Sequence, residues 1–312
     1  MRFLGASKHH LRQVVKVAIN YEGKRDVVLR QEIFDLVRPF APAVARESNG
    51  FWYYVSTQDY GLSRVVFSEG SYEQDVMAHT IALAEKHFRR GRLLEGMIFI
   101  DIGANIGTST IPALKAFGAL SAISIEPDPE NYKFLRCNLI ANEVEDRVRT
   151  VQVALSDEAG TGTLEWAEGS WGDHRIRTRP GQPDGTYRES LRPTMAVPLR
   201  RFDDVARDLP IDLSQVGVVW MDVQGHEGHV LAGASSLLAS DIPVAIEYWP
   251  YGLRRADGLT MLHDLIAANY RTVIDVRASM AGVGGVELPA NDVATLAAQY
   301  RDETYTDLLL LK

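Results

Sequence analysis

The sequence predicts an α/β protein built on a Rossmann-like, doubly wound sheet, preceded by an α+β extension. Three observations carry this reading. Residues 97–107, Met-Ile-Phe-Ile-Asp-Ile-Gly-Ala-Asn-Ile-Gly, join an apolar run of buried-strand length to an acid and two spaced glycines, and a helical stretch follows. From residue 97 onward, strand-length apolar runs alternate with helical periodicities, as parallel strands joined by crossover helices require. Acids recur where those runs end, at Asp101, Glu126, Asp157, Asp222 and Glu247. In open sheets of this kind, ligands bind in the crevice at the carboxyl ends of the strands.

Composition sets the outer bounds. The 312 residues suit an extension over 1–95 and a nucleotide-binding domain over 96–312, with an insertion at about 158–196. An apolar fraction of 46% supports a full core, and a net charge of −8 argues against nucleic acid or an anionic membrane as a broad partner. Cys137 is the single cysteine, which removes intrachain disulfides and multi-cysteine metal sites and reads as a small buried apolar residue. No run approaches the roughly 18 apolar residues of a membrane span, and the first residues lack a signal-peptide core, so a cytoplasmic protein is expected.

In the extension, Leu11, Val14, Val15, Ala18 and Ile19 fall at helical spacing. Residues 51–55 and 63–67 read as two strands of a hairpin. Ser71 is placed to cap a helix whose apolar stripe is Met77, Ile81, Ala84 and Phe88, with Tyr72 and Glu73 at its start. The central domain then supplies strands at 97–100, 122–125, 148–155, 216–221, 242–246, 272–276 and 305–311. Helices lie between them, including 108–117, one bearing Tyr132, Leu135, Leu139 and Ile140, one bearing Val230 to Leu238, and 259–268. Seven strands fit a sheet with an antiparallel last strand. Residues 158–196 break the alternation and read as a long irregular loop rich in glycine, arginine and proline. Arg175, Arg177 and Arg179 alternate within it and, as a strand, would share one solvated face.

The glycine spacing selects the ligand. A dinucleotide fold wants G-x-G-x-x-G, with a pyrophosphate on the helix N-terminus. Here the pattern is D-x-G-x-N-x-G, from Asp101 through Gly103 and Asn105 to Gly107. An acid ahead of the first glycine repels a pyrophosphate and suits a cationic tail, such as the sulfonium and amino group of S-adenosylmethionine. Glu126, about 20 residues past the turn, stands where such folds hold a ribose diol, and Pro127 fixes the loop behind it. Ser156-Asp157 ends the next strand, where an Asp can accept from an adenine amino group. Asp173-His174 sets a histidine beside a carboxylate, an arrangement that can hold one tautomer and make a base. Glu247 followed by Tyr248, Trp249 and Tyr251 suits either a pocket wall for a hydroxylated ring or packing at the core edge. His226 and His229 lack the H-E-x-x-H form of a zinc site, and no metal ligand set is assigned.

Taken in order, Asp-Ile-Gly-Ala-Asn-Ile-Gly at 101–107, Glu-Pro at 126–127, Ala-Leu-Ser-Asp at 154–157, Asp-Val-Gln-Gly-His-Glu at 222–227 and Ile-Glu at 246–247 resemble the FkbM family of S-adenosylmethionine-dependent methyltransferases. Gly-Ser-Tyr-Glu at 70–73 resembles the G-x-[YW]-E segment found upstream in that family. The resemblance implies a class I methyltransferase fold and O-methylation of a sugar or natural-product hydroxyl. It places the methionyl end of the cofactor near Asp101, Gly103 and Asn105, the ribose on Glu126, the adenine near Asp157, and the transferred methyl by the loop that Asp222 begins. Two departures stand out: many members carry Glu where this chain has Gln224, and Lys where it has Trp220.

The site expected from the sequence follows. Tyr72, Glu73, Asp101, Gly103, Asn105, Gly107, Glu126, Pro127, Ser156, Asp157 and Asp222 bind the cofactor. Asp173, Gln224, Glu247 and Trp249 face the acceptor, and Asp222, His174 or His226 takes the proton. The expected partner is a small hydroxylated molecule, and self-association is left open. N- or C-methylation on the same fold and a catalytically inactive nucleotide-binding protein are the alternative readings.

Overall fold

The computed structural model describes residues 25–89, 91–179, 185–301 and 304–312, and the helical stripe expected over residues 11–19 lies outside them. Two units emerge. The described part of the first is residues 25–72 with Glu168–Gly172; the second is Glu73–Ala167 with Asp173–Lys312. The division falls at Tyr72, so the helix that follows belongs with the large sheet and not with the 1–95 extension.

In the first unit, α1 (Arg25–Val37) precedes β1 (Ala43–Ser48), β2 (Phe51–Ser56) and α2 (Leu62–Glu69). The hairpin is β1 with β2, not 51–55 with 63–67. Its turn is Asn49-Gly50, with φ of 54° and 81°, the pair of positive angles that a two-residue turn between twisted strands needs. Residues 63–67 are helical because Asp59 nucleates a turn: its carboxylate accepts from the Gly61 and Ser63 amides at 3.0 and 2.7 Å. The tip Glu168–Gly172 joins this unit through Gly169 O, which accepts from the Tyr60 and Gly61 amides.

The second unit opens with α3 (Gln74–Phe88), followed by β3 (Ile98–Ile102), α4 (Thr110–Lys115), β4 (Ser121–Ile125), α5 (Pro129–Ala141) and β5 (Val148–Val151). Next come β6 (Ala154–Leu155), β7 (Gly160–Glu165), β8 (Arg175–Arg177), β9 (Thr194–Arg200) and α6 (Phe202–Asp208). Then follow β10 (Val216–Met221), α7 (Glu227–Ala232), α8 (Ser235–Leu238), β11 (Val244–Tyr248), α9 (Pro250–Arg255) and α10 (Leu259–Asn269). The chain finishes with β12 (Thr272–Asp275), α11 (Val276–Met280), β13 (Glu287–Pro289) and β14 (Thr306–Leu311).

The main sheet has the order β13-β12-β14-β11-β10-β3-β4-β5. Strands β5, β4, β3, β10 and β11 run parallel, and β14 lies antiparallel to β11 and β12. The expected antiparallel last strand is present. The sheet has eight strands and not seven, because β13 adds an edge strand beyond those expected. Both faces of β10 are covered, and its six residues are all buried, as a continuous apolar run in a parallel sheet requires.

Two further expectations change. The run 148–155 divides: β5 stays in the main sheet, whereas β6 pairs with β9. The insertion is not an irregular loop, since β6, β9, β7 and β8 form a second, four-stranded sheet. Arg175 in β8 is 6% exposed and ion-paired, so it does not belong to a solvated face. Ser71 does not cap α3; Glu73 occupies the cap with φ 49°. Ile140 is 55% exposed and Cys137 is exposed, because both lie on the outer side of α5, opposite Leu135 and Leu139. No helix among the described residues is long and apolar enough to cross a membrane.

Candidate active site

The β3–α4 turn is built first by backbone hydrogen bonds. Strand pairing carries β3 through Ile102, so Asp101 lies inside the strand and not beyond its end. Its carboxyl is 1% exposed and accepts from Thr110 Oγ1 at 2.5 Å, which anchors the first turn of α4. Burial, with the neighbouring Asp222 adding to it, pushes this carboxyl up to about 7. Gly103 has φ +88°, and a Cβ there would stand 1.8 Å from Asp222 O. Only glycine lets the β3 and β10 loops cross at this distance. Gly107 faces the opposite way, toward the Leu135 and Ile111 side chains.

The amides of the turn are committed to protein acceptors. Those of Gly103 and Ala104 both donate to Ile125 O, at 2.9 and 3.0 Å. The Asn105 amide, on a residue with φ 48°, donates to Glu126 Oε2 at 2.9 Å. These three amides face protein acceptors and not an anion, in keeping with the missing G-x-G pair. Glu126 is 5% exposed, and its other oxygen accepts from the Asp128 amide at 2.8 Å. Burial raises this carboxyl to about 8. Pro127 links it to Asp128, which caps α5 through the Glu130 and Asn131 amides.

The insertion leans on this same corner. Trp166 Nε1 donates to Asp128 Oδ2 at 2.6 Å, and the His174 ring stacks on Trp166 with centroids 5.4 Å apart. His174 Nδ1 accepts from the Ala167 amide, and burial lowers this imidazole to about 4. The expected Asp173–His174 pairing does not form. Asp173 accepts instead from Arg175 Nε at 2.8 Å and Arg192 Nη2 at 2.6 Å. Adjacent residues at the entry to a strand point to different faces, and two guanidiniums outcompete a neutral imidazole for a carboxylate. The contacts of His174 place it by the α5 cap, away from the carboxyl end of β10.

His226 is likewise built into the protein. It is 3% exposed, stacks on His229 with centroids 4.4 Å apart, and lies 3.0 Å from Ser156 Oγ. Ser156 Oγ donates to Asp157 Oδ1, so the His226 Nε2–H donates to the serine. Burial lowers this imidazole to about 3 and keeps it neutral. The chain Asp157–Ser156–His226 ties the end of β6 to the loop after β10, with Asp157 exposed at its outer end.

At the carboxyl ends of β10 and β11 stand Asp222, Glu227 and Glu247, with one oxygen of each lying within 4.8 Å of the others. Gln224, with φ 55°, reaches between two of them: its Nε2 donates to Asp222 Oδ1 at 2.7 Å and Glu247 Oε2 at 2.8 Å. Glu227 is fully buried; its Oε1 accepts from the Val223 and Gly225 amides, whereas Oε2 has no hydrogen-bond partner. Burial raises Asp222 to about 6 and Glu227 to about 8. It also holds Glu247 well above the usual range, with Asp222 and Glu227 adding to the effect. The sequence reading assigned no metal ligands; these three acids offer a set.

Beside them, Arg277 Nη2 donates to Glu73 Oε1 and its Nε to Asp307 Oδ2, both at 2.6 Å. Glu73 therefore enters the neighbourhood through Arg277. Tyr72 ends the first unit. Trp249 is 6% exposed, beneath the Arg175 guanidinium and beside Tyr187 and Tyr251, which is packing at the core edge. Sequence reasoning missed Glu227, Arg277 and Asp307. Glu227 stood in view as the last residue of the motif at 222–227 but was given no role, and Asp307 is a lone acid ahead of an apolar run in the final strand.

A family model described as the methyltransferase FkbM domain matches residues 101–266, from the acid of the glycine turn through most of α10 and over half of the chain. Methyltransferase sdnD of Sordaria araneosa is 27% identical over 180 residues, covering 50% of this chain and 68% of that protein. The 2-O-methyltransferase NoeI of Sinorhizobium fredii (strain NBRC 101917 / NGR234) is 29% identical over 158 residues, covering 48% of this chain and 63%, less than two thirds, of its own length. Among solved structures, methyltransferase FkbM from Methylobacillus flagellatus KT is similar with a TM-score of 0.41 and 16% identity, over 69% of this chain and 43% of that one. The chain belongs to the FkbM methyltransferase family and takes S-adenosylmethionine as its methyl donor.

Proposed function

We propose that the protein methylates a hydroxyl of a small molecule, a sugar or another natural product, in the cytoplasm. The observation that supports this most directly is the cluster Asp222, Glu227 and Glu247 at the switch-point edge of the sheet. A hydroxyl acceptor must lose its proton as it attacks, and a carboxylate placed at this edge is suited to receive one. The similarity to NoeI, a 2-O-methyltransferase, supports a hydroxyl as the acceptor.

When bound, S-adenosylmethionine supplies a methyl group on a positively charged sulfur. Glu126 is proposed to take the ribose hydroxyls: each carboxylate oxygen holds one backbone N–H and retains a further acceptor position. Asp157, steadied by Ser156, is proposed to face the adenine amino group. Asp222 is proposed to take the proton from the acceptor. The acceptor oxygen so freed of its proton would take the methyl group that the bound cofactor supplies, the carbon–sulfur bond breaking with its electron pair left on sulfur. Positioning supplies much of the rate, and the proton acceptor adds about 10²–10⁴-fold. In this reading His174 and His226 are positioning residues.

The test is a screen of sugars and polyketide alcohols with methyl-labelled S-adenosylmethionine, reading the methylated atom by NMR. A methyl ether is expected. Label found only on nitrogen or carbon, or cofactor binding with no transfer to any acceptor class, would overturn the reading.

A further inference from the structure

We infer that Asp222, Glu227 and Glu247 form a binding site for one hard divalent cation, Mg²⁺ or Mn²⁺, that holds the acceptor oxygen. The site stands on geometry, and its use in catalysis rests on the hydroxyl reading above. Asp222 just past β10, Glu247 near the end of the adjacent parallel strand β11, and Glu227 in the first turn of α7 present one oxygen each within 4.8 Å of the others. An all-oxygen set selects Mg²⁺ or Mn²⁺ over softer ions.

Two independent observations point to a missing positive partner. Glu227 is fully buried, two amides fix its Oε1, and its Oε2 meets no donor. A buried acceptor without a partner costs about 1–3 kcal/mol, more when charged, and such groups call for an ion or water. Moreover, among the described residues no Lys, Arg or His forms an ion pair with any of the three acids; Arg277 is engaged by Glu73 and Asp307. Gln224 satisfies one oxygen each of Asp222 and Glu247. A half-turn of its terminal amide would present Oε1, an oxygen that suits the same ion.

Each acid lends one oxygen to the ion, and the second oxygen of Asp222 stays available for the proton. The bound cation lowers the pKa of the acceptor hydroxyl. Its O–H bond breaks toward that carboxylate, its C–O bond forms, and the sulfur leaves as a neutral thioether.

The full chain is titrated with Mn²⁺, followed by electron paramagnetic resonance, with and without S-adenosylhomocysteine. One Mn²⁺ per chain is expected, displaced by Mg²⁺ and lost in both E227Q and E247Q. Thermal melts and S-adenosylmethionine binding of each variant show that it is folded. With an acceptor in hand, a chelator should reduce turnover on the order of 10²-fold, and Mg²⁺ should restore it. No Mn²⁺ bound by the wild type, or equal binding in both variants, overturns the site while leaving the methyltransferase reading intact if the cofactor still binds. Full turnover in the presence of the chelator overturns the catalytic role.

Discussion

The two halves of the crevice contrast in how far the protein completes them by itself. On the β3–β4 side, the Gly103, Ala104 and Asn105 amides and both Glu126 oxygens all find partners within a short stretch of chain. On the β10–β11 side, three acids crowd together, one oxygen is unsatisfied, and a side-chain amide on a left-handed residue bridges the other two. The first half is satisfied by its own hydrogen bonds, as the proposed receptor for a nucleoside would be. The second is an incomplete polar site, and residues held at such cost concentrate where chemistry occurs. Under the proposed function, the difference divides binding and reaction between two neighbouring strand pairs.

The sharpest way to break the comparison is D222A. It should cut turnover by about 10²–10⁴-fold while the cofactor Kd stays nearly constant, measured by steady-state kinetics beside calorimetry. G103A should disturb both halves at once. Its φ of +88° and the clash that an added Cβ would make with Asp222 O predict a loss of about 3 kcal/mol, visible in a denaturant melt. E126A should weaken cofactor binding about 10- to 100-fold, the value of two lost hydrogen bonds, as read by calorimetry.

Smaller effects test the corner where the insertion meets α5. W166F removes the bond to Asp128 Oδ2 and should lower stability by about 1 kcal/mol. The smallest effect concerns His174, which is held down to about 4 from 6.5. Between these values the unfolded chain binds more protons than the folded one, so stability falls as pH drops from about 6.5 toward 4. H174Q should flatten that part of the stability curve, and melts across the range would show it. A collapse of turnover in H174A with cofactor affinity unchanged would return His174 to the proton transfer.

Much of the cofactor half could be read from the sequence because it is local. The acid, the two glycines, Glu126 and the Pro127-Asp128 step lie within one strand–helix–strand unit, and turn chemistry is written in consecutive residues. The reactive half depends on register between β10 and β11 and on Arg277 reaching Glu73 and Asp307 across some 200 and 30 positions. Sequence adjacency misled at Asp173-His174, where Arg192, 19 positions on, takes the carboxylate. It misled again at 63–67, where Asp59 turned a strand-like run into helix, and at Asn49-Gly50, a hairpin signal that was present and passed over. The insertion read as loop because short strands rich in Thr, Arg and Gly carry little alternation to set against their turn residues.

Titration of E126A and D222A with S-adenosylmethionine by isothermal calorimetry tests the division of labour most directly, since it needs no acceptor. The account predicts that E126A loses most of the binding and that D222A keeps it. Equal losses in the two variants, or a loss in D222A alone, would contradict it.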